Sequence, residues 1–286
     1  MSVGGWIVGL EIGAFLVLLG AIGILAAKRA RRRRRRRERL ARSFSEEEKA
    51  TLDRDFPRWR DIPAALLPRF AGDTRVLMEE KNFEPCGSLS TVSDEMRLLI
   101  SAQAALVTLG LRNHRYFPKL QSILIYPGAF RDHGRRRFDL HQDDDRGVLY
   151  GESWDTGSVI LSWDNVVAGG RSADDGMNVV IHEFAHQLDQ YNGIADGVPQ
   201  LASRDDYARW AAVMGPHYEA LVDACADRSG PEPFLDPYGA THPAEFFAVA
   251  SETFFEDPSD LVEEHPELYE ELRRYYGLDP ASWTRR

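Results

Sequence analysis

The sequence has few cysteines, a single long apolar run and, over most of its length, little positive charge. Its two cysteines, Cys86 and Cys225, are too few among 286 residues for a disulfide scaffold. We expect both thiols to be reduced, and one bridge between them is the alternative. Hydrophobic residues make up 43% of the chain and charged residues 28%, which excludes collagen-like, low-complexity and wholly disordered proteins.

Positive charge is concentrated near the amino terminus. Eleven of the 35 lysines and arginines lie between Lys28 and Arg42, whereas the chain from Ser43 onward carries 24 basic and 43 acidic residues. We call residues 43–286 the body. Its negative charge repels phosphate backbones, so we expect it to bind no nucleic acid directly. No linker composition interrupts the body, and its length fits one large domain.

The single long apolar run, Trp6 to Ala27, predicts one transmembrane helix within residues 1–27. Its 22 residues contain one charge, Glu11, and as a helix they span about 33 Å, close to the thickness of a bilayer core. No positive charge precedes the run, which argues against a cleaved signal peptide. The arginine-rich segment 28–42 follows it, so the positive-inside rule predicts a single-pass protein of the cytoplasmic membrane with its body in the cytoplasm.

The body's apolar patterns predict helices, then a small sheet, then helices again, which is the order of an α+β, mainly helical domain. Helical signals cover Lys49–Phe56 and Pro63–Lys81, a helix opens at Thr91–Glu95, and Ser43–Ser45 reads as a helix cap before three glutamates. Strand signals cover Leu120–Tyr126, Val148–Tyr150 and Ser158–Trp163, the last two forming an expected hairpin around Trp154–Gly157, with Arg131–Arg146 as a loop.

The strongest chemical signal is the H-E-x-x-H motif from His182 to His186. On a helix the two histidines lie one turn apart, so both imidazoles can bind the same metal ion. Glu183 lies about 100° around the helix from His182, where its carboxylate can accept a proton from a water beside that ion. The flanking residues are apolar, which predicts a buried helix carrying a polar site.

A zinc site of this kind needs a third protein ligand and leaves a fourth position open to water. The best source is the segment Asp236–Glu252, in which Pro243 can occupy the first turn of a helix. Glu245 and Glu252 are seven residues apart and share a face of that helix. Spacing alone leaves Glu245, Glu252 and His242 as candidates.

Five segments resemble the Mlc titration factor A family of zinc-dependent bacterial peptidases. They read DEMRLLISAQAALVTLGL, SILIYPGAF, ESWDTGSVILSWDNV, NVVIHEFAHQLDQYNGIADGVP and DPYGATHPAEFFAVASETFFEDP. The resemblance covers roughly Phe56 to Tyr276. It implies a zincin-type fold with a metal site similar to that of the catalytic domain of anthrax lethal factor, one Zn²⁺ per chain, and aminopeptidase-like activity on short peptides.

The resemblance also assigns roles to individual residues. In that group an active-site tyrosine precedes the glutamate ligand by seven residues, as Tyr238 precedes Glu245 here. It therefore implies His182, His186 and Glu245 as metal ligands and Tyr238 as the residue that stabilises the oxyanion. Glu252 becomes a supporting residue. Asp189 is expected either to accept an N–H from a histidine or to lie in solvent.

Two functions follow as expectations from these residues. The first is a zinc-dependent peptidase tethered to the cytoplasmic face of the membrane, with Glu183 as its general base and a peptide as its substrate. The second is a regulatory protein that binds and sequesters a Mlc-like transcriptional repressor, because the resemblance implies that some relatives do so.

Overall fold

The structure is a computed structural model. It describes residues 42–111, 116–128, 130–131, 148–149, 151–154, 157–172, 177–227 and 229–283, and scattered residues between 20 and 34. Most of the expected anchor (residues 1–27) and of the arginine-rich segment (28–42) lies outside these ranges. Nearly all of the expected loop Arg131–Arg146 lies outside them as well. All three stay predictions. Within the described ranges, no helix has the length and apolar character needed to cross a membrane.

Helices dominate the described residues. They are α1 (Glu46–Asp55), α2 (Leu67–Glu80), α3 (Asp94–Thr108), α4 (Trp163–Arg171), α5 (Val179–Asp189), α6 (Arg204–Ala226), α7 (Pro243–Glu256), α8 (Pro258–Glu264) and α9 (Pro266–Tyr276). The predicted cap of α1 is confirmed, because the Ser45 hydroxyl accepts from the Glu48 amide and the Glu48 carboxylate accepts from the Ser45 amide.

A small mixed sheet packs among the helices. Its strands are β1 (Asn82–Pro85), β2 (Ser122–Tyr126), β5 (Gly151–Trp154) and β6 (Ser158–Ser162), in the order β1–β2–β6–β5. The β1–β2 and β2–β6 pairs are parallel, and β5 pairs antiparallel with β6. Two short strands, β3 (Phe130–Arg131) and β4 (Val148–Leu149), form a separate antiparallel pair. The mainly helical α+β prediction is confirmed for the described residues.

The structure corrects the first strand of the predicted hairpin. Val148–Leu149 pairs with β3, and the partner of β6 is Gly151–Trp154, with Trp154 opposite Ser158. A tight turn pairs the residues immediately before and after it. Gly157 supports this turn at φ +83, and a Cβ there would lie 2.6 Å from the Lys119 carbonyl oxygen. Trp163, expected at the end of the strand, is the first residue of α4.

Helix α5 lies inside the fold rather than on its surface. It packs against α3, α4, β5 and β6, and against α7. Val180, Ile181, Phe184 and Ala185 are fully buried, and α3 supplies an unbroken buried stretch from Leu98 to Thr108. Because apolar neighbours surround it, α5 holds its polar residues in a fixed position.

Candidate metal centre

Helix α5 begins at a well-formed cap. The side-chain oxygen of Asn178 accepts hydrogen bonds from the amides of Val180 (3.1 Å) and Ile181 (3.0 Å). These bonds satisfy amides that have no partner within the helix. The start of the helix, which leads into His182 and Glu183, is therefore held firmly in place.

Three side chains converge beside this turn. The Nε2 atoms of His182 and His186 are 3.1 Å apart, and Oε2 of Glu245 lies 3.0 Å from the first and 3.1 Å from the second. Glu245 comes from the first turn of α7, so the packing of α7 against α5 creates the cluster. Of the three candidates left open by spacing, Glu245 is the one that the structure places here. His242 instead caps α7 through its Nδ1.

The donor set fits a metal ion. The imidazole Nδ1 of His182 lies 2.6 Å from Oε1 of Glu252 and donates to it, because an ionised carboxylate only accepts. When His182 is neutral, its Nε2 therefore presents a lone pair to the carboxylate oxygen of Glu245. Two acceptors at 3.0 Å repel unless a proton or a metal ion lies between them. Ligand atoms of a tetrahedral zinc site lie roughly 3.3 Å apart, close to the three separations found here.

The electrostatics of the cluster favour positive charge. Burial lowers the pKa of His182, but the nearby Glu252 carboxylate and the hydrogen bonds with Glu245 and Glu252 raise it well above its ordinary value. Burial raises the pKa of Glu245, but the hydrogen bonds with the two histidines lower it by more. The net pKa therefore lies below the ordinary value, and the carboxylate stays ionised. Two buried acids therefore surround the imidazoles, as a divalent cation requires.

Glu252 joins the cluster to the start of α5. Its Oε1 accepts from His182, and its Oε2 accepts from the backbone amide of Asn178 at 2.6 Å. A carboxylate held at both oxygens fixes the tautomer and the orientation of the imidazole. This geometry fits the supporting role expected for Glu252, because the residue orients His182 without facing the metal position.

A buried ion pair, which the sequence did not predict, lies next to Asn178, the residue that Glu252 contacts. The Asn178 amide nitrogen Nδ2 donates to Oε1 of Glu256 at 3.0 Å, and Oε2 of Glu256 lies 3.2 Å from Nε of Arg58. Arg58 also donates to the backbone carbonyl of Glu256. Asn178 before an apolar run is a readable cap signal. The Arg58–Glu256 contact has no local signal, since 198 residues separate the partners.

The two residues expected to act on the substrate lie beside the cluster. Glu183 follows His182 on α5 and is buried, with 4% of its surface exposed. Tyr238 lies in a short 3₁₀ turn, Pro237–Ala240, where its amide donates to Asp236 at 2.8 Å. Its ring centroid is 5.9 Å from that of His182, and 38% of its surface is exposed. Tyr238 therefore lies next to the candidate metal-binding residue His182 and is accessible to solvent.

Asp189 takes neither of its two expected positions. It is fully buried, and its Oδ2 accepts from the Gly197 amide at 3.0 Å rather than from a histidine. Burial raises the pKa of Asp189 to about 6. Gly197 has φ +77, and a Cβ there would lie 2.3 Å from the carbonyl oxygen of Pro243. Asp189 therefore fixes a loop that spaces the end of α5 from the start of α7.

One further sequence expectation, on the cysteines, has a structural outcome. Cys86 and Cys225 are both free thiols, as expected. Away from the metal centre, the ring centroids of His217 and His265 lie 5.6 Å apart.

An H-E-x-x-H helix with a glutamate from a second helix is typical of one class of metallopeptidases. Within that class, the chain belongs to the glucose-regulated metallo-peptidase M90 family, whose model matches residues 29–277.

Curated relatives agree with this family. An uncharacterized protein of Synechocystis sp. is 38% identical over 247 residues, which cover 82% of this chain and 88% of that protein. Mlc titration factor A of Serratia proteamaculans is 34% identical over 220 residues, covering 73% and 79%. Mlc titration factor A of Yersinia pestis is 34% identical over 217 residues, covering 73% and 77%. The resemblance inferred from the motifs is confirmed, and the likeness to lethal factor stays a prediction.

Replacing Glu252 with alanine is expected to weaken metal binding by about 10- to 100-fold, because the imidazole of His182 loses the group that orients it. Competition with a chelating dye measures the affinity. Glu252→Gln keeps an oxygen for His182 Nδ1 and should recover part of the loss. Glu263→Ala, on an exposed position of α8, is the matched control. An unchanged affinity in Glu252→Ala would refute this role.

Metal binding is also expected to weaken on acidification. The carboxylates raise the pKa of His182, so a proton competes with the metal for Nε2 at higher pH than for an ordinary histidine. Affinity should fall by about tenfold per pH unit below that pKa for each proton displaced. Calorimetry in two buffers of different ionisation heat counts the protons released. No release at pH 6 would contradict the expectation.

Proposed function

We propose that this metallopeptidase is zinc-dependent and aminopeptidase-like, and that it is tethered to the membrane with its body in the cytoplasm. The observation that carries the catalytic part is the convergence of His182, His186 and Glu245 at 3.0–3.1 Å, with Glu183 on the same helix. Two nitrogen ligands and one carboxylate match catalytic zinc sites, which keep one position open. A bound zinc ion would supply Lewis acidity that polarises the scissile carbonyl.

The chain's own residues supply the proton transfers. Glu183 accepts a proton from the water that attacks the carbonyl carbon, and it then donates that proton to the leaving amine. The low exposure of Glu183 keeps bulk water from competing for the proton. The Tyr238 hydroxyl donates a hydrogen bond to the oxyanion of the tetrahedral intermediate. Tyr238 suits this task because it lies beside His182 and remains partly exposed.

Hydrolysis by the full-length chain in detergent tests the catalytic proposal. The protein is stripped with a chelator, dialysed and reloaded with one equivalent of Zn²⁺. We expect hydrolysis of aminoacyl nitroanilides to disappear and return with the metal, and N-acetylated analogues to be poor substrates. Cleavage that persists without metal refutes the zinc mechanism. Equal cleavage of blocked and free amino termini refutes the aminopeptidase-like part alone.

The membrane proposal rests on the sequence, namely the apolar run Trp6–Ala27 and the eleven basic residues that follow it. Cell fractionation tests it. An anchored chain stays with the membrane in high salt and in alkaline carbonate and leaves it in detergent, and protease added outside spheroplasts spares the body. Full release by salt refutes the anchor.

A second candidate function is binding of a Mlc-like repressor, and the relatives named Mlc titration factor A favour it. On this proposal the body sequesters the repressor independently of hydrolysis. A repressor from the same genome, where one is encoded, should bind Glu183→Gln and wild type equally in a surface-binding assay. A repressor that binds neither protein would remove this candidate.

A further inference from the structure

A small pocket lies beside the carboxyl-terminal end of helix α5, where Gln187 directly follows His186. Its volume is about 170 Å³. It is lined by Phe117, Pro118, Lys119, Gly157, Gln187, Gln190, Tyr191 and Gly193. Pockets for whole small ligands enclose roughly 300–1,000 Å³, so this pocket has the size for one side chain.

One residue of the pocket wall, Gln187, relates the pocket to Glu183 on the same helix. Gln187 follows Glu183 by four residues, so both share one face of α5 and lie about 6 Å apart along its axis. An extended peptide advances roughly 3.3 Å per residue. A substrate whose scissile bond lies at Glu183 therefore brings a side chain within two residues of that bond to the pocket.

The wall of the pocket is strained and firmly held. Tyr116 and Phe117 have φ values of 53 and 52, in the left-handed region that large side chains rarely adopt. Buried Lys81 donates to the carbonyls of Phe117 and Leu120, and the Phe117 ring packs on Phe184 of α5 at 4.8 Å. Strain of this kind is retained mainly where a function depends on the resulting geometry.

The rim of the pocket carries a positive charge. Nζ of Lys119 donates to the carbonyl of Gln190 at 2.9 Å, and it lies 3.8 Å from the place of a Cβ on Gly193. Among the described residues, no carboxylate forms an ion pair with Lys119. A carboxylate entering the pocket would meet an ammonium group with donors to spare.

We propose that this pocket is a substrate subsite and that Lys119 selects an acidic side chain within two residues of the scissile bond. The inference rests on the proposed peptidase function and adds the class of its substrate. The apolar rings of Phe117 and Tyr191 contact the methylene groups of a glutamate or aspartate, and Lys119 pairs with the carboxylate. Arginine and lysine side chains are excluded by repulsion.

The test scans peptides with a free amino terminus in which glutamate or glutamine occupies the one position before the scissile bond or either of the two positions after it. In the zinc-loaded full-length chain, glutamate should exceed glutamine in kcat/KM by roughly three- to tenfold at one position, as for a partly exposed ion pair. Lys119→Met should bring that ratio to about one, Lys119→Arg should retain it, and Lys119→Glu should favour lysine over glutamine. Lys49→Met, a lysine distant in the chain that pairs with Glu46, is the control and should retain the wild-type ratio.

A peptide-binding measurement tests the pocket independently of hydrolysis. The same peptides should bind zinc-loaded Glu183→Gln protein with the same preference for glutamate, and Lys119→Met should remove that preference there too. A wild-type chain without a preference for glutamate, or a preference that Lys119→Met leaves intact, overturns the subsite. Absence of metal-dependent cleavage with an intact binding preference would overturn the proposed peptidase function and leave the subsite standing.

Discussion

Replacing Glu183 with glutamine is expected to lower kcat for peptide hydrolysis by about 10²- to 10⁴-fold, the usual contribution of a general base. Glutamine has nearly the same shape but cannot accept the proton from the attacking water. Because Glu183 is not one of the three converging ligand atoms, the zinc content should stay at one ion per chain. Steady-state kinetics with a free-amine nitroanilide, together with metal analysis of the same sample, makes the measurement.

The matched control is Glu47→Gln, the same chemical change at an exposed position in the first turn of α1. It should leave kcat and zinc content unchanged. If Glu183→Gln lost its zinc, the defect would be one of metal binding, and the role of general base would lose its support. If Glu183→Gln kept full activity with one zinc, the mechanism proposed for this site would be wrong.

Breaking the buried Arg58–Glu256 pair is expected to cost about 3–5 kcal/mol of the free energy of unfolding. Glu256→Gln removes a counter-charge from the buried Arg58 guanidinium, and losing one partner of a buried pair is costly. For a body of this size the loss corresponds to roughly 6–20 °C in Tm. Because Glu256 also holds Asn178, which caps α5, metal affinity should fall in the same variant.

Thermal unfolding of wild type and variant at equal zinc concentration tests this expectation. The control is the exposed pair between Arg60 and Asp53, whose atoms approach to 2.6 Å. Asp53→Asn should change the free energy of unfolding by less than about 1 kcal/mol, since solvent screens an exposed pair. If Asp53→Asn and Glu256→Gln lost the same free energy of unfolding, burial of the Arg58–Glu256 pair would not account for its contribution, and the prediction would be wrong.

The catalytic helix could be predicted from the sequence because the residues that indicate it lie close together in the chain. His182, Glu183 and His186 lie within five residues, and the helical period alone determines which of them share a face. The resemblance added Glu245 and Tyr238 through their spacing of seven residues, and both lie beside the histidines in the structure. The turn between β5 and β6 was predicted at Trp154–Gly157. The strand before it was predicted at Val148–Tyr150, which carries the stronger strand signal, whereas Gly151–Trp154 is the segment that pairs with β6.

The resemblance left Glu252 as a supporting residue, but the contacts through which the supporting residues act were not predicted, because those contacts are long-range. Glu252 contacts His182 across 70 residues of sequence, and Arg58 contacts Glu256 across 198. The same holds for Lys119, which reaches the end of α5 from a turn 71 residues earlier. No periodicity within one element indicates such a contact.

The sequence by itself therefore determined the class of chemistry, the helix that carries it and the α+β order of the elements. Those features depend on residues a few positions apart. Spacing left three candidates for the third ligand, and the resemblance pointed to Glu245. The tertiary structure alone decided that Glu252 orients His182, that Glu256 pairs with Arg58, and that Lys119 lies at the rim of the pocket. These choices depend on how α7 and the strained turn at Tyr116 and Phe117 pack against α5, and the hydrophobic effect that drives this packing is non-directional, so it carries no local sequence signal.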